Sequence, residues 1–450
     1  MSSDWIRRSV GDLMAGGALF VGDGYRAKNE ELGDGGLPFA RAANVNNGFR
    51  FQGCDRFPEQ NLHRVGNKIS QPGDVVFTSK GTVGRFAFVR ERTPRFVYAP
   101  QLCFWRVLQP DLIEPRFLYY WVHGREFFVQ YSGVKAQTDM AEYVSLSDQR
   151  RMSITLPPIH EQRLIARTLG ALDDKIELNR QMNETLEAMA RGIFKSWFVD
   201  FDPVRAKMEG RRPFGMDAAT AALFPSAPQE SRIGRIPAGW QVSCLAEHVE
   251  AVKGLSYKGA GLSDHGVPLH NLNSVYEGGG YKNEGIKHYT GDFKERHVVR
   301  TGDLIVANTE QGFEFLLIGF PAMVPARYGE FGLFSHHLFR VRPQPGSPVT
   351  THFLYHLLLT PLVRDQVVGC TNGTTVNMLY AAGLAVPAFA LPPRGVISVF
   401  SDLAAKLRLK REQNYDESNT LAAVRDTLLP KLLTGEIRLK DAEKQAEAVL

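Results

Sequence analysis

Reactive residue types are plentiful in this chain, yet few fall at spacings that do chemistry. His352 and His356 lie four apart on a segment of helical character, which would place two imidazoles on one face as zinc ligands. No Glu follows His352 to act as a base, and the corresponding positions earlier in the chain are Arg116 and Tyr120. Asp111 and Glu114 suggest the acids of a metal-dependent nuclease, but they are too close in sequence to sit on separate strands. They read as a loop before a helix. Cys54, Cys103, Cys244 and Cys370 are widely spaced with no C-x-x-C pair, which argues against a disulfide framework and a structural zinc site. No glycine-rich loop ending in Gly-Lys-Ser/Thr is present to cradle nucleotide phosphates. Leu156-Pro-Pro-Ile159 and Leu391-Pro-Pro-Arg394 lack the Asn or Asp that opens the Asn/Asp-Pro-Pro-Tyr segment of adenine methyltransferases. The reading is that there is no catalytic residue and no metal site, so the chain is expected to bind or scaffold.

The elements around these residues have an ordinary globular composition. The 450 residues are 44% apolar and 22% charged, enough for two or three domains with their own cores. No stretch approaches the roughly 20 apolar residues that span a bilayer. The first ten residues lack a secretory apolar run, so a cytoplasmic location is expected. The net charge is +5, which permits nucleic-acid binding without establishing it. Residues 1–158 carry 20 Lys/Arg against 16 Asp/Glu, residues 239–393 carry 11 against 12, and 204–238 carry 6 against 3. Nine of the twelve histidines fall in 239–393.

The chain repeats itself. Trp5 corresponds to Trp240, Pro38 to Pro268, Gly73-Asp-Val-Val-Phe77 to Gly302-Asp-Leu-Ile-Val306, Phe117-Leu-Tyr119 to Phe353-Leu-Tyr355, and Leu156-Pro-Pro158 to Leu391-Pro-Pro393. Five matches in the same order at a nearly constant offset indicate two diverged halves. Each half reads as a mixed α/β globular domain. The Gly-Asp segments are turn-then-strand signals, and 115–130 reads as a buried helix opened by Pro115. Residues 204–238, rich in Pro, Gly and Arg, read as a linker.

A long helix is predicted after each Leu-Pro-Pro, over 159–203 and 394–434. Every seventh residue gives Ile165, Leu172, Asn179, Leu186 and Ile193 in the first helix, and Phe400, Leu407, Asn414, Leu421 and Leu428 in the second. This heptad pattern predicts a coiled coil with one Asn in the middle of each seam, where a polar residue fixes register. Either pairing direction would match Asn179 with Asn414. Gly170 and Gly192 each cost about 1 kcal/mol against Ala in a helix, so they mark close approach of a partner.

The stretch Leu156-Pro-Pro-Ile-His-Glu-Gln-Arg-Leu-Ile-Ala166, the closing Ile193-Phe-Lys-Ser-Trp-Phe-Val-Asp-Phe-Asp-Pro203, the segment Gly73–Gly84 and Leu428-Leu-Pro-Lys-Leu-Leu-Thr-Gly435 together resemble the specificity subunits of type I restriction-modification enzymes. The resemblance covers essentially the whole chain. It departs where Arg394-Gly-Val-Ile397 replaces a Glu-Gln stretch and where Asn308-Thr-Glu-Gln-Gly312 replaces Ser-Lys-Gly. It implies an α+β protein with two tandem target-recognition domains, 1–158 and 239–393, each followed by a long helix. The helices would pair as an antiparallel coiled-coil spacer, with a C-terminal tail over 435–450. It further implies a non-catalytic subunit that reads a bipartite target in double-stranded DNA and docks two methyltransferase subunits and the restriction-translocase subunits. S-adenosylmethionine, ATP and Mg²⁺ would then be bound by those partners and not by this chain. Two alternatives are the specificity subunit of a methylation-only system and a coiled-coil adaptor without sequence-specific DNA binding.

Under that resemblance, base reading needs polar side chains on well-held loops, and phosphate contacts need Lys or Arg. The candidates in the first domain are Arg41, Asn44, Thr78, Lys80, Thr82, Arg85, Lys135, Gln137 and Thr138. Those in the second are His270, Asn271, Asn273, Asn308, Gln311, Asn372, Thr374 and Thr375. The histidine-rich second domain is expected to lose DNA affinity between roughly pH 6 and 8, as imidazoles lose charge. A helix of about 40 residues is about 60 Å long, so the pair is expected to act as a ruler for the gap between half-sites.

Overall fold

The computed structural model describes residues 4–46, 48–79, 84–135, 144–312, 314–373, 376–437 and 439–449, except for the side chains of Lys135, Gln311 and Leu439. The chain divides into two units, Met1–Asn179 with Glu417–Leu450, and Arg180–Asp416. The division falls inside both long helices, Ile159–Phe198 and Arg394–Thr434.

In the first unit, Ile6–Ser9 pairs antiparallel with Ser153–Leu156, closing the domain beside the Leu-Pro-Pro. An antiparallel sheet runs in the order Leu19–Asp23, Leu102–Val107, Val75–Thr78, Phe86–Phe88. Leu37–Ala40 joins Arg56–Phe57 antiparallel and Val97–Tyr98 in parallel. Gly73 precedes the central strand at φ +90°, a conformation that favours glycine, and Asp74 follows it into the interior. There the carboxylate accepts from Arg106 Nε at 2.7 Å and from the Tyr98 hydroxyl at 2.7 Å, so the Gly-Asp pair both turns the chain and pins two strands.

The second unit has the same plan. Gln241–Cys244 pairs with Ala388–Leu391, and the sheet order is Val249–Lys253, Leu338–Pro343, Leu304–Ala307, Pro321–Met323. Val267–His270 pairs in parallel with Phe331–Phe334, as Leu37–Ala40 does with Val97–Tyr98. Gly302 has φ +86°, and Asp303 accepts from Arg342 Nε at 2.7 Å, repeating the Gly-Asp device.

Each unit contains its own stretch of paired helix, and the pairing runs antiparallel in both. In the first unit, Ile165, Leu169 and Leu172 share a core with Leu421, Leu428 and Leu432. Arg425 Nη1 donates to Asp173 at 2.8 Å, and Asn179 Nδ2 donates to Glu417 at 2.8 Å. In the second unit, Asn414 Nδ2 donates to Asn183 at 2.9 Å, Arg411 pairs with Glu187, and the Phe194 and Phe400 rings meet at 5.2 Å. Asn179 and Asn414 are buried at 2% and 1% exposure, so the seam polar groups are satisfied away from water. Leu186, Ile193 and Leu407 are half-buried.

Three expectations change. The antiparallel course gives each unit the half of a helix that lies far off in sequence, so the boundaries do not follow a domain-then-helix order. The first long helix stops at Phe198, and 204–238 is no linker. It contains the helices Asp202–Met208 and Ala218–Ala222 and the hairpin Pro228–Ser231 with Gly234–Pro237. Val204, Phe224 and Ile236 pack with Trp197 and Trp240, which is why a Pro/Gly-rich segment holds one structure. The segment read as a tail forms the helix Leu439–Glu447, whose Ala442 and Ala446 join the first unit's core. Gly170 does mark a close approach, because a Cβ there would meet the Arg116 guanidinium at 2.7 Å, whereas Gly192 faces open space.

Candidate nucleic-acid interface

In the first unit the strand Val75–Thr78 ends in a loop held shut at its base. Thr78 N donates to Arg85 O at 3.0 Å, and Arg85 N donates back to Thr78 Oγ1 at 3.0 Å. The exposed Arg85 then reaches the Ala42 and Val45 carbonyls at 3.4 and 3.5 Å. This brings it to the turn of Asn44, whose Oδ1 accepts from Arg41 N at 2.8 Å and whose Nδ2 donates to Arg50 O at 2.9 Å. Arg41 is exposed and bridged to Asp55 at 2.7 Å. The structure thus gathers Arg41, Asn44, Thr78 and Arg85 at one end of the sheet. Lys135 closes the helix Arg125–Lys135, while Lys80, Thr82, Gln137 and Thr138 lie outside the described residues.

In the second unit the strand Val376–Leu379 lies between Thr309–Gln311 and Thr371–Asn372, so Asn372 and Gln311 share one three-stranded sheet with Thr309. Asn372 and Asn273 are exposed. Thr374 and Thr375 lie outside the described residues. The turn after Val267–His270 is held by Asn271, whose Oδ1 accepts from Asn273 N at 2.9 Å and whose Nδ2 donates to Gly285 O at 3.1 Å. Asn308 Nδ2 donates to His336 O at 3.1 Å.

Four candidates are therefore reassigned. Thr78 and His270 are 0% exposed, Asn308 1% and Asn271 6%, and the bonds just described tie Thr78, Asn271 and Asn308 to nearby backbone. They position loops and do not present a polar edge to a ligand. His270 Nδ1 shares a hydrogen bond with the Tyr281 hydroxyl at 2.8 Å, and burial pushes its pKa down to about 4.

Residues 3–188 match the type I restriction modification DNA specificity domain family. Over 97% of its length the chain is 24% identical to the whole of the type I restriction enzyme HindI specificity subunit of Haemophilus influenzae. It is 21% identical, over 97% of this chain and 94% of the relative, to the MjaIX specificity subunit of Methanocaldococcus jannaschii. The crystal structure of the type I restriction-modification S subunit from M. genitalium covers 96% of each chain at a TM-score of 0.53 and 15% identity, a likeness of fold. The chain is thus similar to type I specificity subunits over nearly its whole length, and its first 188 residues carry the family's match.

Six of the nine histidines of 239–393 are shifted by burial toward the neutral form. Burial lowers His248, His297 and His337, and it takes His270, His352 and His356 down to about 4, so these last three are neutral throughout the pH 6–8 range. His356 Nδ1 bonds the His352 carbonyl at 2.8 Å, which spends the ring on its own helix. Among the described residues no group of three or more His, Cys, Asp or Glu could hold a metal ion, and no helix is long and apolar enough to cross a membrane. In the first unit the exposed basic side chains among the candidates are Arg41 and Arg85.

Proposed function

We propose that this chain is the DNA sequence-recognition subunit of a type I restriction-modification complex, with one half of a split target read by each unit. The observation that carries this reading is the repeat: two units whose four-stranded sheets share one strand order, each with its own stretch of antiparallel helix pair, in a chain similar to specificity subunits over nearly its full length. One unit reads one short sequence, so a duplicated unit reads two, with a gap that neither touches. The chain itself catalyses nothing in this scheme. Two methyltransferase subunits dock on it and bind S-adenosylmethionine, and the restriction subunits bind ATP and Mg²⁺. The test is adenine-methylation mapping of source cells with and without an in-frame deletion of this gene. Loss of one split motif supports the reading, and survival of every methylated motif in a strain with detectable wild-type methylation refutes it.

A further inference from the structure

The two units share one further element, a tight turn at the sheet end next to the candidate loops. Leu102 N donates to Ala99 O at 2.9 Å in the first unit, and Leu338 N donates to Ser335 O at 2.9 Å in the second. The turns are fixed by matching contacts. Ser79 N donates to Gln101 O at 2.9 Å and Asn308 N to His337 O at 3.0 Å, while Val144 N reaches Ser79 O at 3.1 Å and Leu379 N reaches Asn308 O at 2.8 Å. Gln101 and His337 thus occupy the same place in two repeats, and His336 stands where the first unit has Pro100.

The backbone is common to both turns, but the side chains are not, and each turn keeps at least one polar side-chain atom unspent. Gln101 Oε1 and His336 Nδ1 are buried atoms with no hydrogen-bond partner within the protein, on residues that are half-buried as a whole. Buried polar atoms are normally paired, so a side-chain rotation that exposes either one leaves it with full capacity for a partner. Rotation of the glutamine's terminal torsion presents either amide atom at little cost. Around the second turn, the His336 and His337 ring centroids lie 3.9 Å apart in a tilted arrangement and Thr309 Oγ1 lies 2.9 Å from His337 Nδ1. Tyr257 lies 6.4 Å from the His336 ring, with Lys287 Nζ 5.9 Å above Tyr257. Among the described residues no carboxylate pairs with Lys287, so the cluster is aromatic, hydrogen-bonding and cationic, the combination that meets bases and phosphates.

We propose that these turns are base-reading elements, with Gln101 selecting a base of one half-site and the His336–His337 pair selecting a base of the other. This rests on the DNA-recognition reading above and names the residues that carry it out. A glutamine amide sets a donor beside an acceptor, which matches the major-groove edge of adenine. A rigid turn on an identical scaffold is a place where residue type can change without disturbing the fold.

The experiment uses the full chain assembled with its methyltransferase subunits on a DNA pool randomised across the split target, with methylated products sequenced. Gln101→Ala should lower selectivity at one position of one half-site by about 5- to 150-fold, leaving the other half-site as in the wild type. The double variant His336→Ala/His337→Ala should do the converse. Gln101→Glu, close in size, should move that position toward cytosine and serves as the test if the alanine variant fails to assemble. In every variant the untouched half-site reports whether the complex has assembled. Unchanged selectivity in Gln101→Glu and in the histidine variant would overturn the turn assignment alone. A wild-type complex that methylates no split motif would overturn the parent reading and this inference with it.

Discussion

His270 and His356 enter the interior of the second unit as neutral imidazoles, each with a pKa pushed down to about 4 by burial. His270 faces the Tyr281 hydroxyl and the Tyr328 ring. His356 lies among Phe194, Tyr355 and Phe400, within the electrostatic reach of Glu187, Arg191 and His352. In the unfolded chain both titrate near 6.5. The unfolded state therefore binds more protons than the folded one from about pH 6.5 down to about 4, and stability falls as the pH falls through that window. Linkage for one such group between pH 7 and pH 5 gives on the order of 2 kcal/mol, hence about 4 for the two. Nearby carboxylates do not offset this loss. Burial disfavours the charge on Glu187, yet Arg411 and Arg191 hold its carboxyl below its ordinary range, so it stays ionised at pH 5. Hydrogen exchange on the full chain, corrected for the intrinsic effect of pH, reads the two units separately. Amides of Leu304–Ala307 and Leu338–Pro343 should lose up to about a thousandfold in protection between pH 7 and pH 5. Those of Val75–Thr78 and Leu102–Val107 should lose less, since His123 is the one imidazole lowered by burial among the described residues of that unit. His270→Phe should flatten the dependence. Equal losses in both units, or none in the second, would refute the reasoning.

Three other outcomes follow from the geometry. Asp74→Ala leaves the buried Arg106 guanidinium and the Tyr98 hydroxyl without their shared acceptor, and should cost about 3–5 kcal/mol in urea unfolding. Asp303→Ala should cost clearly less, because Arg342 is 36% exposed. Gly192→Ala, with open space at its Cβ, should stabilise by up to about 1 kcal/mol in thermal melts. Gly170→Ala should not, since Arg116 would lose its bonds to the Gly170 carbonyl and Asp174. Deleting one heptad from each long helix removes about 10 Å of rise and should shorten the gap in the methylated motif by about 3 base pairs. An unchanged gap in an assembled complex would count against the ruler.

What could be read ahead of the structure was whatever repeats locally. The start of the heptad stripe and the Gly-Asp turns need only neighbouring residues to declare themselves: Ile165 and Leu172 lie in the first unit's core, and Gly73 and Gly302 carry positive φ. The partition into units needs contacts between residues such as Asp173 and Arg425, which no local pattern announces. The ordered course of 204–238 depends on three apolar residues, Val204, Phe224 and Ile236, scattered among prolines and glycines, and so it looks like loop. The binding candidates failed differently. A polar residue type does not tell whether its hydrogen bonds go to the backbone or to a ligand, and Thr78 and Asn271 spend theirs inside.

That distinction also shows where a duplicated reader can diverge. The Gly-Asp device is kept in both halves because it holds the sheet: losing Asp74 or Asp303 would strand an arginine that crosses between strands. At the turns, the contacts common to both halves are made by main-chain atoms of Gln101 and His337, so they do not depend on the side chain present. A change of residue there alters what is offered at the surface while the hydrogen bonds that shape the turn persist. Two copies of one fold can therefore drift to two recognition chemistries, an amide in one and paired imidazoles in the other, without either copy passing through an unstable intermediate.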